Sequence, residues 1–340
     1  MRRVPEMLKD IASVVASAVI VAAAVPHLIS DDALAVFRGN LAKPADKPVL
    51  IREGFEDYRA SGTTADMNET VHRVPVTVPL WNGEYRSGEM IVTAYKPEGL
   101  GPFPAIIHHH GTDPQKRAHP KRFRQFWYAK HWVSRGFAVF AVTRLGFGDT
   151  GLEPFPELIR GPCTDPNFTT AYDALADQSE AALRYLRRLP HVNDRQILLS
   201  GQSRGGSTVI AHIGRGDDGV IGGINFAGSY QYNEARNRHE ECGRANVHAL
   251  NSAFGRKARA PTLWIFGEDD TTSPVDIAED RYQAFRRGGG EGMFQVIAKQ
   301  SDLNGHYVIT RPRLWAADVD RFVRSVGIAL PRTEVAGRNR

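Results

Sequence analysis

Cysteine is scarce: Cys163 and Cys242 are the only two in 340 residues. No C-x-x-C pair or Cys/His spacing suggests a zinc site. No internal repeat and no low-complexity linker interrupts the chain, so its main part reads as one domain. Charge of one sign is concentrated nowhere. The 43 Lys and Arg against 38 Asp and Glu leave a formal +5 and a pI near 9.2, spread along the sequence. The densest basic patch, 116–124, has His and Pro interleaved, so no nucleic-acid-reading module stands out and no nucleic acid is expected as a partner. With 42% apolar and 24% charged residues the composition is neither disordered nor fibrous.

The first residues differ from the rest. Arg2, Arg3 and Lys9 precede an uncharged run rich in Ala, Val and Ile over 11–25, and Ala22-Ala23-Ala24 and Ala33-Leu34-Ala35 each offer a small-residue cleavage pattern. Residues 1–35 therefore read as a secretory signal peptide, with an exported, periplasmic or secreted destination. Glu6 and Asp10 dilute the positive start, and the uncharged stretch continues to Ser30, so an uncleaved membrane anchor or an ordinary helix are the alternatives. Residues 36–66 are expected to wrap the surface and 331–340 to form a flexible tail. In an oxidising compartment the two cysteines are expected to pair.

From residue 67 to 330 strands and helices alternate. Segments 71–80 and 88–95 alternate apolar and polar residues around a turn at Asn82-Gly83, the pattern of antiparallel strands. Short continuous apolar runs at 104–107, 137–142, 196–200, 220–226, 262–266 and 293–298 suit strands buried on both faces. Helical periodicity falls at 122–135, 171–189, 204–214, 275–287 and 311–326. The segment 229–258 is polar and charge-dense and reads as an insertion forming a small cap. Strands alternating with helices at this spacing imply an α/β fold, a mostly parallel sheet with helices on both faces.

Gly201-Gln202-Ser203-Arg204-Gly205 is the one G-x-S-x-G in the chain. It sits where an apolar strand meets a helix, the setting in which a serine is held at the tip of a strained turn above a helix N-terminus. A serine hydroxyl needs a base, and the base needs an orienting carboxylate. In this architecture they follow in the order Ser, acid, His. Only His306 lies beyond the acids that follow the 262–266 strand. Among those acids Asp270 is preferred, being three residues past Gly267 and clear of the strand; Glu268 and Asp269 are the alternatives. The oxyanion donors are expected to be the backbone N–H groups of Arg204 and of Thr112, the latter in the loop after the 104–107 strand. The run His108-His109-His110 does not read as a metal site, because consecutive strand residues point to opposite faces. His110 is expected to support the oxyanion loop.

The elbow Gly-Gln-Ser-Arg-Gly-Gly, the strand-end Gly267-Glu268-Asp269-Asp270 followed by Pro274, and Gly305-His306 resemble the dienelactone hydrolase-like branch of the α/β-hydrolase superfamily, which is itself similar to the catalytic domain of prolyl oligopeptidases. The resemblance covers residues 71–326. It implies a mostly parallel eight-stranded sheet, a triad of Ser203, Asp270 and His306, and no cofactor or metal. The founding dienelactone hydrolases carry cysteine where this chain has Ser203, so their substrate does not carry over. Oligopeptidases bear a large extra N-terminal domain for which this chain has no room, which favours esterase over peptidase activity. Segments 145–168 and 229–258 both follow strands and each holds one cysteine, so a Cys163–Cys242 bridge is expected to staple them above the site. Phe226, Tyr230 and Tyr232 are candidates for a substrate pocket, with core packing as the plainer reading. For the Arg204 side chain a structural role at the helix start is the plainer reading, and a substrate carboxylate the sharper one. The expected activity is hydrolysis of a small or medium carboxylic ester through an acyl-enzyme. An amidase or peptidase on the same triad, or a catalytically silent binding protein, are its rivals.

Overall fold

A computed structural model describes residues 67–112, 117–216, 219–230 and 242–330. The expectations for 1–35, 36–66 and 331–340, and for Tyr232, fall outside these residues. Eight strands form a single sheet: β1 (Thr70–Pro79), β2 (Tyr85–Tyr95), β3 (Phe103–His109), β4 (Ala138–Thr143), β5 (Val192–Gln202), β6 (Gly222–Phe226), β7 (Thr262–Gly267) and β8 (Gly292–Ile297). Their spatial order is β1-β2-β4-β3-β5-β6-β7-β8. β1 pairs antiparallel with β2, and β2 antiparallel with β4; every other pairing is parallel. This is the α/β-hydrolase architecture that the alternation and the resemblance imply.

Among the described residues six α-helices accompany the sheet: α1 (Phe126–Val133), α2 (Thr169–Leu186), α3 (Arg204–Ile213), α4 (Arg244–Lys257), α5 (Val275–Arg287) and α6 (Pro312–Ser325). The apolar runs are continuous because each strand feeds two cores. Ile107, Phe140 and Leu199 pack on one face with Leu183 of α2 and Val209 and Ile213 of α3. Their neighbours Ile106, Val139 and Leu198 pack on the other with Trp132 of α1 and Trp315 and Phe322 of α6. Successive strand side chains alternate faces, so a strand covered on both reads as an apolar run, and the polar side chains it does bury, His108, His109 and Ser200 among them, are hydrogen-bonded. Helix α6 shows the complementary pattern, burying Trp315, Val319, Phe322 and Val323 along one stripe. Each of these side chains contributes roughly 1.5–3 kcal/mol by leaving water. Among the described residues no helix is long and apolar enough to cross a membrane.

Two elements differ from the sequence expectation. Helix α1 begins at Phe126, not at residue 122. Arg122 and Arg124 turn instead to the buried Glu69 carboxylate, the Phe123 N–H donates to Thr143 Oγ1 (2.8 Å), and Gln125 takes a left-handed φ of 50°. The polar segment 229–258 contains α4, whose buried positions are only Val247, Asn251 and Gly255. Leu250 and Phe254 pack half-buried beside these positions, and the helix sits very close to its neighbour: a Cβ on Gly255 would lie 2.0 Å from the Phe285 carbonyl of α5. Asn251 and Gly255 at two of the most buried positions interrupt the apolar period of Val247, Leu250 and Phe254.

Candidate active site

Ser203 lies between the end of β5 and the start of α3, with φ 56° and ψ −122°. For a residue with a Cβ this is a strained conformation, held only where the surroundings dictate it. Here the Ser203 N–H donates to the Phe226 carbonyl (2.9 Å), and the Ser203 carbonyl accepts from the Ser229 N–H (3.2 Å). The glycines around it are needed for space. A Cβ on Gly201 would lie 2.1 Å from the Gly205 carbonyl oxygen, and one on Gly205 would lie 2.0 Å from that of His109. Arg204 is the first residue of α3, so its N–H has no partner within the helix and stands at the positive end of the dipole.

Asp270 and His306 come from the connections that follow β7 and β8, His306 from a 3-10 turn at Gly305–Thr310. His306 Nδ1 lies 3.1 and 3.0 Å from Asp270 Oδ1 and Oδ2, and both side chains are almost fully buried. A carboxylate accepts, so the imidazole proton sits on Nδ1 and Nε2 is the basic nitrogen. Asp270 is itself fixed: its Oδ1 accepts from the N–H groups of Thr272 (2.8 Å) and Ser273 (2.7 Å). Of the alternatives, Glu268 is exposed and turns away, accepting from the Lys299 N–H (2.9 Å), and Asp269 is half-buried. The loops touch through glycine: a Cβ on Gly267 would lie 2.3 Å from Gly305 Cα. Gln202, directly before Ser203, donates from Nε2 to the His306 carbonyl (3.0 Å) and ties this loop to the elbow.

Ser229 is a site residue that the sequence reading did not single out. Among the described residues the Ser203 hydroxyl hydrogen-bonds its Oγ at 3.1 Å. It follows β6, which pairs with β5 so that Phe226 lies opposite Gln202, and only that pairing brings residue 229 to residue 203. No local motif marks it.

The loop after β3 passes directly against the elbow. A Cβ on Gly111 would lie 3.2 Å from Ser203 Cβ and 2.5 Å from Gln202 Oε1. Thr112, next in the chain, is half-buried and anchored by its side chain, which donates to Glu157 Oε2 (3.0 Å). The three consecutive histidines face three different partners. His108 Nδ1 meets Ser200 Oγ (3.2 Å), His109 Nε2 meets Ser179 Oγ (2.9 Å), and His110 Nδ1 meets the Gly111 carbonyl (2.5 Å). Among the described residues no group of His, Cys, Asp and Glu gathers as metal ligands do.

Of the pocket candidates, Phe226 belongs to the core. It is fully buried, packed against Trp315 and Tyr128, and lines no open surface. Tyr230, beside Ser229, stacks on Tyr172 (centroids 4.9 Å apart) and donates its hydroxyl to Asn251 Oδ1 (2.9 Å). The half-buried Arg204 guanidinium donates to the Tyr172 hydroxyl (2.8 Å). Cys163 and Cys242 form a disulfide, and beside it the Gly243 N–H donates to the Cys163 carbonyl (2.7 Å). The bridge joins the loop before α2 to the start of α4 across 79 positions. Loop-closure entropy for that span amounts to about 4 kcal/mol. Urea unfolding of the Cys163→Ser/Cys242→Ser variant is expected to give a stability lower by about that amount. An unchanged midpoint would show that the bridge adds nothing.

No family model matches the chain. Among curated proteins it is similar to the uncharacterized protein YfhR of Escherichia coli K12, 28% identical over 137 residues, which is 39% of this chain and 40% of that protein. YfhR of Salmonella typhimurium is 27% identical over 162 residues, 47% of this chain and 45% of that one. The match thus spans less than half the length of these relatives. Among solved structures, a puromycin-hydrolyzing peptidase of Mycobacterium tuberculosis superposes with a TM-score of 0.54 at 15% identity, covering 77% of this chain and 41% of the peptidase. An acylaminoacyl peptidase of Pyrococcus horikoshii gives 0.50 at 16% identity, covering 80% and 43%. At these identities the likeness establishes the shared α/β-hydrolase fold.

Proposed function

We propose that this chain is a serine hydrolase that cleaves a carboxylic ester of a small or medium organic substrate through an acyl-enzyme. The observation that carries the reading is the buried Asp270–His306 pair held beside a serine in a strained strand–helix turn. In the reactive arrangement the Ser203 hydroxyl leaves Ser229 and donates to Nε2 of His306. Ser203 Oγ then attacks the ester carbonyl as its proton passes to Nε2. Asp270, hydrogen-bonded to Nδ1–H, keeps the imidazole in that tautomer and stabilises the imidazolium. The N–H groups of Arg204 and Thr112 stabilise the oxyanion. The C–O bond breaks, the alcohol leaves with the His306 proton, and water activated by the same base releases the acid.

A second reading, amide or peptide hydrolysis on the same groups, is favoured by the likeness to two peptidases, although each is matched over only about two fifths of its length. Rates on a p-nitrophenyl ester and the matched p-nitroanilide separate the two. An ester-to-amide preference in kcat/KM above about 10³ is expected; equal rates would favour the peptidase reading. Labelling of Ser203 by a fluorophosphonate is expected as well, and no labelling would favour a silent binding protein. The disulfide supports residence in an oxidising compartment, consistent with export of the chain.

A further inference from the structure

One buried ion pair has no part in the reaction above. Arg144, directly after β4, is fully buried, and Glu157, in the loop before α2, is 3% exposed. Arg144 Nε donates to Glu157 Oε1 (2.6 Å), and its Nη2 reaches Oε2 (3.3 Å). The other hydrogen bonds that its guanidinium and its backbone N–H donate fall on the two residues that flank Gly111. Nη1 donates to the His110 carbonyl (2.6 Å), Nη2 to Thr112 Oγ1 (3.0 Å), and the backbone N–H to His110 Nε2 (3.3 Å). Thr112 Oγ1 in turn donates to Glu157 Oε2 (3.0 Å).

We propose that the Arg144–Glu157 pair is a positioning device for the oxyanion hole, fixing the Gly111–Thr112 peptide so that the Thr112 N–H faces the reacting carbonyl oxygen. The proposal rests on the Ser203 reading. Its first support is the tautomer of His110. Nε2 accepts from the Arg144 N–H, so the ring proton lies on Nδ1, which donates to the Gly111 carbonyl (2.5 Å). Burial and the nearby Arg144 charge hold that ring neutral, and Phe123 stacks on it at 3.6 Å.

The second support is the planarity of the peptide. In a trans peptide the carbonyl and the following N–H point in opposite directions. Binding the Gly111 carbonyl to the His110 ring therefore points the Thr112 N–H the opposite way within the peptide plane, with Gly111 packed against Ser203. The third is the shape of guanidinium. A rigid planar fork reaches the His110 carbonyl, Thr112 Oγ1 and both Glu157 oxygens at once, which an ammonium cannot do. A buried pair of this kind adds little net stability, so its effect falls on geometry.

The test is steady-state kinetics of Arg144→Lys, Glu157→Gln and Thr112→Val on a p-nitrophenyl ester, with binding of a trifluoromethyl ketone as mimic of the tetrahedral state. In Arg144→Lys, kcat is expected to fall about 10²-fold with KM changed less than about threefold, and the ketone to bind about 10²-fold more weakly. Glu157→Gln and Thr112→Val are expected to move kcat and ketone affinity in the same direction by smaller factors. If Arg144→Lys does not fold, these two carry the same test. Folded variants with unchanged kcat, or with KM and ketone affinity weakened equally, would overturn the proposal. Activity retained in Ser203→Ala would instead remove the reading on which it rests.

Discussion

Ser203→Ala is expected to lower kcat on a p-nitrophenyl ester by about 10⁶-fold and to leave the melting temperature unchanged. The side chain loses one hydroxyl, whose hydrogen bond among the described residues is to Ser229. Alanine meets the same left-handed φ of 56° with the same Cβ, so no new strain arises. His306→Ala is expected to cost a similar factor, because base and nucleophile act as a unit and their effects do not add. Asp270→Asn should cost about 10⁴-fold, since the amide favours the wrong imidazole tautomer. Single-turnover measurements on the three variants check this order. Undiminished turnover in Ser203→Ala would overturn the assignment, and loss on Glu268→Gln but not Asp270→Asn would move the acid to the neighbouring residue.

Acid is expected to unfold the protein well above pH 3. His108 and His212 are completely buried, and desolvation pushes each down to about 3 from an unfolded value of 6.5. Burial and the nearby Arg144 charge lower His109 and His110 far below that value too. These rings are neutral in the folded chain and take up protons once it unfolds. Below pH 6.5 the unfolded state binds more protons, so stability is fully present above that pH and is lost as pH falls toward 3. Each such histidine removes about 1.4 kcal/mol per pH unit across this window. Two alone would remove about 5 kcal/mol between pH 6 and 4, comparable with the whole stability of many domains. Urea titrations at pH 7, 6, 5 and 4 are expected to give a steepening loss, and His212→Leu a shallower one. A stability independent of pH between 7 and 5 would contradict this account.

What could be read along the chain was what neighbours in sequence dictate. Ser203, Gly201 and Gly205 were legible because a strand–helix elbow demands glycine within two residues of the serine at its tip, and the clashes at 2.1 and 2.0 Å show why. The doubly buried strands were legible because a covered strand shows an unbroken apolar run. His306 followed from chain order alone. The choice of Asp270 over Glu268 and Asp269 was not settled there; it depended on which carboxylate the β7–α5 turn aims at His306.

Ser229, Arg144 and Glu157 lay beyond such reading for one reason. Ser229 meets Ser203, and Arg144 meets His110 and Thr112, through the order and register of strands, β6 beside β5 and β4 beside β3. Glu157 joins them from the loop before α2. Helix α4 escaped because its apolar stripe is short and interrupted by Asn251 and by Gly255, which its close approach to α5 requires, within a charge-dense segment. By itself the sequence determined the serine, its glycines, the histidine and the alternation that builds the sheet, since these answer to local sterics and burial. The tertiary structure alone decided which acid holds the histidine, which hydroxyl meets Ser203 and which ion pair grips the loop after β3, because side chains far apart in sequence meet only once the register of the sheet is set.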